Sequence, residues 1–250
     1  MKKTTLILVS LILGNSVFAE SPYTYDFENF TTSALLSTTD PVLVSGTAQV
    51  EMFSPATDGA SKMLSPKITP TAINYLLFPA ASDYSVTWKE YITSATQKKK
   101  GFILRASGLA STSGPAGAPI GAKQGYLFMN QAETNGSVTF RIFKMTVYQN
   151  TLNSTTGSNL PGSGSSIALG VTENEPMWYR ATVRGTNLIF EYSTDGINWD
   201  KGASSTDATY SDGLTQSVNC PLADIGYYYD NIIYNDLSNS QNETGKKTKK

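Results

Sequence analysis

Alternating apolar and polar positions recur along this chain and predict β-strands rather than helices. The pattern is clearest in residues 84–91, where every second residue is large and apolar. One face of that predicted strand carries Tyr84, Val86 and Trp88, and the other carries Ser85, Thr87, Lys89 and Tyr91. Residues 187–194 alternate in the same way, and residues 138–148 carry bulk on both faces. The last segment therefore reads as a central strand covered on one side.

Turn residues divide the chain into short strands, and no segment shows an amphipathic helix longer than two turns. The predicted strands are 23–30, 46–53, 73–79, 83–93, 101–107, 124–130, 137–148, 165–171, 177–185, 187–194, 197–201 and 223–235. This succession of strands predicts an all-β protein, built as a two-sheet antiparallel β-sandwich.

A predicted hairpin centres on Asp195-Gly196, between two alternating segments. This dipeptide favours a type I′ turn, in which both central residues have positive φ. Ser193 and Asp195 are placed to bond the loop backbone, and Trp199 to pack back across the hairpin. The stretch is interpreted as a turn first and as a site second. We also expect at least two of the three tryptophans to be buried.

The amino-acid composition excludes several classes of catalytic and metal site. The 250 residues include no histidine, which excludes Ser-His-Asp and Cys-His catalysis and histidine-ligated zinc. The single cysteine, Cys220, forms no intramolecular disulfide. A net charge of −1 argues against nucleic acids and anionic membranes as partners.

The amino terminus predicts export. Lys2 and Lys3 precede an apolar run, and Val17-Phe18-Ala19 has the small residues of a cleavage site. We therefore expect residues 1–19 to be a signal peptide, residues 20–236 to be one β-sandwich domain, and residues 237–250 to be a disordered basic tail. The protein is then secreted, extracellular or periplasmic, without membrane insertion. Residues 109–123 and 149–166 are predicted to be long loops.

The hairpin and both ends of the expected domain carry a family resemblance. The stretch WYRATVRGTNLIFEYSTDGINW, residues 178–199, resembles the late strands of concanavalin A-like lectin/glucanase jelly rolls, including laminin-G-like modules. YTYDFENF resembles the opening strand of such domains, and IGYYYDNIIYNDL resembles the closing strand. The resemblance implies a concanavalin A-like jelly roll. It does not select a function, because this fold hosts lectins, hydrolases, lyases and spacers.

Two candidate sites follow. The resemblance implies that the first and last strands lie together, where Asp26, Glu28 and Asp230 offer oxygen ligands for a structural Ca²⁺. Asp224 is an alternative ligand, and plain solvated carboxylates are the alternative reading. A sugar-binding surface is predicted from aromatic, amide and charged groups on strands expected to be neighbours. Its candidate residues are Lys89, Tyr91, Arg105, Tyr126, Asn130 and Arg141.

Catalysis has little support in the sequence. Glycosidases of the resembled fold place carboxylates along one strand as E-x-D-x-x-E, and this chain lacks that run. The nearest pair, Glu173 and Glu175, precedes Pro176 and reads as a loop. The leading hypothesis is therefore a non-catalytic module that binds an extracellular glycan or surface polymer. The alternatives are a structural or adhesive protein that binds other proteins, and a polysaccharide-active glycosidase or lyase.

Overall fold

The computed structural model describes residues 23–26, 28, 43–45, 48–53, 61–66, 75–92, 98–106, 124–145, 157–219 and 227–238. Sixteen β-strands lie in these residues. They are β1 (Tyr23–Tyr25), β2 (Leu43–Ser45), β3 (Ala48–Phe53), β4 (Ser61–Pro66), β5 (Tyr75–Ala81), β6 (Tyr84–Ile92), β7 (Lys98–Ala106), β8 (Gly125–Ala132), β9 (Ser137–Met145), β10 (Gly157–Asn159), β11 (Ser165–Ala168), β12 (Pro176–Arg184), β13 (Asn187–Ser193), β14 (Asp200–Thr206), β15 (Gly213–Asn219) and β16 (Tyr227–Asp236). None of the described residues belongs to a helix long and apolar enough to cross a bilayer.

The strands form two antiparallel sheets, which confirms the predicted two-sheet sandwich. The first sheet has the order β14-β13-β12-β6-β16-β4-β3, with β1 also paired to β16. The second has the order β10-β9-β8-β7-β15-β5-β2, with β11 also paired to β9. Strand β6 therefore lies between β12 and β16, which are distant from it in sequence. This crossing order means that neighbours in the chain are often not neighbours in a sheet.

Aromatic side chains from both sheets fill the core between them. Trp88 lies at its centre, with ring centroids 4.6 Å from Phe102, 5.6 Å from Tyr179 and 5.9 Å from Phe190. Tyr84, Val86 and Trp88 are fully buried, as their alternation predicts. Such rings contribute most of the apolar area that stabilises a sandwich of this kind.

One side of the sandwich is closed by the segment between β10 and β11. The Leu160 N–H donates to the Ile142 carbonyl at 2.9 Å, and the Gly164 N–H donates to the Phe140 carbonyl at 2.8 Å. Between these two anchors the chain bulges towards β14, where Gly162 lies against the Ser204 carbonyl so closely that a Cβ would clash. Glycine at this position, with φ of 77°, lets the bulge approach the edge of the opposite sheet.

Some strands were missed by the sequence-based predictions, and some predicted segments lie outside the described residues. Strands β2, β4, β10 and β15 were not predicted, and β14 covers 200–206 instead of 197–201. The predicted loop 149–166 is described only from residue 157, where β10 begins. The predicted signal peptide, the loop 109–123, Cys220 and Asp224 lie outside the described residues. The predicted tail is described only at Leu237 and Ser238.

Candidate functional site

The loop between β13 and β14 is held by one carboxylate. Asp195 Oδ1 accepts the backbone N–H groups of Ile197 and Asn198, both at 2.8 Å, and the Ser193 hydroxyl at 2.8 Å. The N–H groups of Asn198 and Ile197 hold the pKa of Asp195 well below its usual range. Only Gly196 has a positive φ, of 74°, so the predicted type I′ turn is wrong. A side-chain-bonded loop takes the place of a two-residue turn.

This loop positions two tryptophans on the outer face of the first sheet. Trp199 lies under the Arg180 guanidinium, 4.2 Å from the ring centroid. Arg180 also donates two bonds to the Glu191 carboxylate, at 2.7 and 2.9 Å. Trp178 contacts Gly196 at the loop tip, and Lys89 Nζ lies 5.6 Å from the Trp178 ring. Both tryptophans are half-buried, so the expectation of two buried tryptophans is wrong and only Trp88 is enclosed.

An open groove of about 560 Å³ lies at the edge of the same sheet, around strand β14. Its lining is mixed, with five polar and three apolar side chains and one glycine: Pro161, Gly162, Asn187, Leu188, Ile189, Lys201, Ser204, Ser205 and Thr206. The Ser205 hydroxyl is buried and has no hydrogen-bond partner in the structure. Ser205 pairs in register with the buried Leu188, so its hydroxyl points inward, whereas the side chains of Asn187, Ser204 and Thr206 offer the groove hydrogen-bonding groups suited to a ligand with many hydroxyls.

The groove and Trp199 belong to one continuous surface. Lys201 pairs in register with Glu191, and Glu191 pairs with Arg180, which lies over Trp199. Residues directly opposite each other on antiparallel strands point to the same face and lie within reach of each other. We call this surface the edge surface; it consists of the groove lining together with Arg180, Glu191 and Trp199.

The predicted sugar-binding residues do not share one surface. Lys89 and Tyr91 lie on β6 of the first sheet, whereas the other four, Arg105, Tyr126, Asn130 and Arg141, lie on β7, β8 and β9 of the second. The expected strand neighbourhood is therefore wrong, because β6 pairs with β12 and β16. Tyr91 is fully buried beneath Lys89, whose Nζ lies 5.2 Å from the ring centroid.

Arg105 is a buried cross-link at one end of the sandwich, here called the Arg105 end. Its guanidinium donates to the carbonyls of Ser82 at 2.6 and 2.9 Å, Gly185 at 2.9 Å and Tyr210 at 2.8 Å. A weaker contact reaches the Asp83 carboxylate at 3.4 Å. The side chain is only 1% exposed, so it joins three chain segments rather than facing a ligand.

Tyr126 belongs to the same end. Its hydroxyl donates to the Asp207 carboxylate at 2.7 Å and accepts the Tyr210 N–H at 3.0 Å. Burial and the bond to Asp207 raise the pKa of Tyr126 to about 12. Burial alone would raise the pKa of Asp207, but hydrogen bonds from Thr209, Tyr126 and Lys144 outweigh it and hold that pKa well below its usual range. Every group in this set has a partner.

Asn130 lies in the core at the opposite end, here called the Glu90 end. Its amide donates to both Glu90 carboxylate oxygens at 3.3 Å, and the Trp88 indole donates to Glu90 at 3.4 Å. These bonds are long for charged acceptors. The Asn130 carbonyl and the Tyr179 hydroxyl are buried without a hydrogen-bond partner. Burial, followed by the Glu90 charge, raises the pKa of Tyr179 well above its usual value; the Asn130 side chain lies close enough to offset part of this rise but does not reach hydrogen-bond geometry.

Arg141, the last of the predicted sugar-binding residues, is half-exposed on β9. The other predicted site is the calcium site, which lies where the first and last strands pair. Pairing of β1 with β16 brings Asp26 and Glu28 near Asp230, as predicted. Burial is the main cause that raises the pKa of Asp230 to about 6, and both neighbouring carboxylates add to it. Asn231 already donates to both Asp230 oxygens, at 2.8 and 2.9 Å. Among the described residues, no three acidic side chains are grouped closely enough to hold a metal ion, so the present arrangement does not fit Ca²⁺.

Sequence reasoning missed the groove because its lining comes from strand ends rather than from a motif. Ser204, Ser205 and Thr206 form a polar run that follows the hairpin, and this run was not assigned to a strand. This polar run is a sequence signal from which an edge strand could have been predicted. Three hydroxyl residues directly after a well-formed hairpin indicate an edge strand with a polar rim.

Comparison with known proteins gives the fold. No family model and no curated protein matches the sequence. The legume lectin-like domain from Entamoeba histolytica is similar in structure, with a TM-score of 0.50 at 14% identity over 83% of this chain and 99% of that domain. Carbohydrate binding module CBM66 from Bacillus subtilis has a TM-score of 0.43 at 14% identity, over 78% of this chain and 94% of that module. Lectin II from Ulex europaeus has a TM-score of 0.45 at 11% identity, over 85% of this chain and 97% of that lectin. The likeness to the Entamoeba histolytica domain, together with the two antiparallel sheets, shows the fold, a jelly-roll sandwich of the concanavalin A-like lectin/glucanase type.

Proposed function

We propose that this protein is a non-catalytic carbohydrate-binding module and that the edge surface holds the sugar. The observation that carries the proposal is the open groove of about 560 Å³, whose lining combines hydroxyl, amide and ammonium groups with apolar side chains. Sugars are bound through many directional hydrogen bonds of this kind, and each net bond contributes about 0.5–1.5 kcal/mol. The fold is compatible with this role, although one fold serves many functions.

The edge surface combines the two contacts that a pyranose ring needs. Asn187, Ser204 and Thr206 supply donors and acceptors for ring hydroxyls. Trp199 supplies a half-buried aromatic ring on the same sheet face, and Arg180 holds it in place. Because Asp195 fixes the loop that carries Trp199, little side-chain and loop entropy remains to be lost on binding.

A binding assay with paired variants tests the proposal. The purified protein is titrated with a panel of soluble polysaccharides by calorimetry, and the reducing ends are assayed in parallel for hydrolysis. The double variant Asn187→Ala/Thr206→Ala should weaken binding by about tenfold, since it removes hydrogen bonds worth about 1.4 kcal/mol together. The control, Thr172→Ala, changes an exposed threonine outside the groove lining and should bind as the parent does.

Three results would contradict the proposal. Absence of saturable binding across the panel removes the sugar-binding role and favours the structural or adhesive alternative. Release of reducing ends would instead favour the enzyme alternative. Equal losses in the double variant and in Thr172→Ala would place the ligand away from the edge surface.

Export and calcium belong to the same proposal. The amino-terminal pattern supports secretion, and an extracellular glycan or surface polymer is the partner that fits such a location.

Calcium is proposed only as a structural ion, with Asp26, Glu28 and Asp230 as ligands after rearrangement of the Asn231 bonds. Repeating the titration and a thermal melt in chelator tests it. An unchanged melt removes calcium from the proposal.

A further inference from the structure

Two exposed cations lie in or beside the groove. Lys201 lines it directly. Arg184 lies opposite Asn187, a groove residue, at the end of β12. Both side chains are exposed. Lys201 is paired to Glu191 and Arg184 to Asn187, four positions apart on β13, so the two cations are separated by about 13 Å along the strand.

Neither cation is neutralised within the described part of the chain. No ion pair involves Lys201 or Arg184. The carboxylate nearest to Lys201 in register is Glu191, and Arg180 already binds both of its oxygens. The carboxylates near Arg184 are Asp83, bonded to the Gly185 N–H and Arg105, and Asp207, bonded to Lys144 and Tyr126.

The groove lining itself contains no carboxylate among its nine residues. Its polar groups are hydroxyls and an amide, and its only charged group is the Lys201 ammonium. The lining itself therefore carries one positive charge, and the exposed Asp200 beside Lys201 makes no ion pair with it. Such an arrangement favours an anionic ligand at this surface.

We infer that the ligand is an acidic glycan, a polymer whose sugars carry carboxylate or sulfate groups that Lys201 and Arg184 bind. This inference rests on the proposed function and names the class of sugar. The hydroxyl groups of Thr206, opposite Asn187, and Ser204, opposite Ile189, bind the neutral positions between the charges. The two cations fix the register of the polymer on the groove.

The experiment compares three probes at matched chain length: polygalacturonate for carboxylates, dextran sulfate for sulfates, and dextran as the neutral polymer. Affinity is measured for the full protein and for the double variant Lys201→Gln/Arg184→Gln. The matched control is Arg141→Gln, a half-exposed arginine on the outer face of the second sheet. A thermal melt of each variant verifies folding.

The expected result is tighter binding of one acidic polymer than of dextran. The double variant should lose at least about tenfold of that affinity, and Arg141→Gln should lose none. Added NaCl should weaken the interaction of the parent, because salt screens exposed charges. Preference for polygalacturonate or for dextran sulfate identifies the carboxylate or the sulfate as the recognised group.

Two outcomes overturn the inference, and both are distinct from failure of the proposed function. Equal affinity for dextran and the acidic polymers, unchanged in the double variant, would leave a module for neutral sugars. An equal loss in Arg141→Gln would show general attraction of polyanions rather than recognition in the groove. Absence of binding to all three probes, and to the wider panel, would remove the proposed function itself.

Discussion

The two ends of the sandwich bury polar groups in opposite ways. At the Arg105 end, the guanidinium, the Tyr126 hydroxyl and the Asp207 carboxylate all have short hydrogen bonds. At the Glu90 end, the bonds to the carboxylate measure 3.3–3.4 Å, and the Asn130 carbonyl and the Tyr179 hydroxyl have no partner. A satisfied polar network stabilises a core, whereas a partly satisfied one leaves the desolvation cost of each buried group uncompensated. The two ends should therefore respond differently to loss of a polar group.

The largest expected effect comes from Arg105→Met. This change keeps an unbranched apolar stem but removes the guanidinium, and it leaves the carbonyls of Ser82, Gly185 and Tyr210 without their donor. Breaking a buried charged network of this kind costs about 3–5 kcal/mol of unfolding free energy. Urea unfolding measures it. The comparison variant Arg141→Met should change stability by less than about 0.5 kcal/mol, and a similar loss in both would refute the cross-link.

Asp230 lies at the Glu90 end, and its substitution should increase the free energy of unfolding, whereas Arg105→Met should decrease it. Its pKa of about 6 lies above the ordinary value of 3.8, so the folded state holds the proton more tightly than the unfolded chain. This contribution is favourable below about pH 4 and is lost as the pH rises through about 6. After allowance for solvent screening, the ionised group costs about 1–2 kcal/mol at pH 8.

Asp230→Asn should accordingly be more stable than the parent at pH 8 and nearly equal to it at pH 4. Urea midpoints across this range measure the difference. Asp26→Asn removes one of the charges that raise the pKa of Asp230, so it should produce a smaller change in the same direction. A parent protein that becomes more stable from pH 4 to pH 8 relative to Asp230→Asn would contradict this assignment.

Asp207, at the Arg105 end, should show the reverse pH dependence. Its pKa is held below the ordinary value, so its contribution is present above about pH 4 and is lost as the pH falls further. Because the carboxylate is only partly enclosed, we expect Asp207→Asn to cost about 1 kcal/mol at pH 7. The difference from the parent should shrink in acid. A constant difference from pH 7 to pH 3 would mean that its charge is not involved.

The smallest effect is expected from two matched tyrosine variants, one at each end. Tyr126→Phe removes a hydroxyl with two partners and should cost about 1 kcal/mol. Tyr179→Phe removes a buried hydroxyl without a partner, and should be neutral or stabilising by up to about 1 kcal/mol. Both are measured by urea unfolding under the same conditions. Equal losses in the two variants would mean that both ends are satisfied, and the comparison would fail.

Local alternation was enough to predict much of the first sheet. Tyr84, Val86 and Trp88 on β6, and Leu188 and Phe190 on β13, are fully buried as the period of two requires. The fold class and the approach of Asp26 and Glu28 to Asp230 were also predictable, from the family resemblance of the terminal strands. These features depend on neighbours along one strand or on a recurring topology.

Side chains whose surroundings depend on strand order were not predictable. Every residue of β8 is buried, so alternation does not distinguish the core side, with Tyr126 and Asn130, from the other. Arg105 has a φ of 52°, which interrupts the strand and turns its side chain to the Arg105 end. The groove depends on the approach of Gly162 to β14, a contact between two sheets that no local pattern records.

The reach of Arg105 also has a consequence for the kinetics of folding. Its carbonyl partners lie 23, 80 and 105 positions away in the chain, so its bonds form only after three distant segments have met. We therefore expect these contacts to form late and to be largely absent from the transition state. Weakening them should accelerate unfolding while leaving the folding rate nearly unchanged. We therefore expect Arg105 to prolong the lifetime of the folded protein.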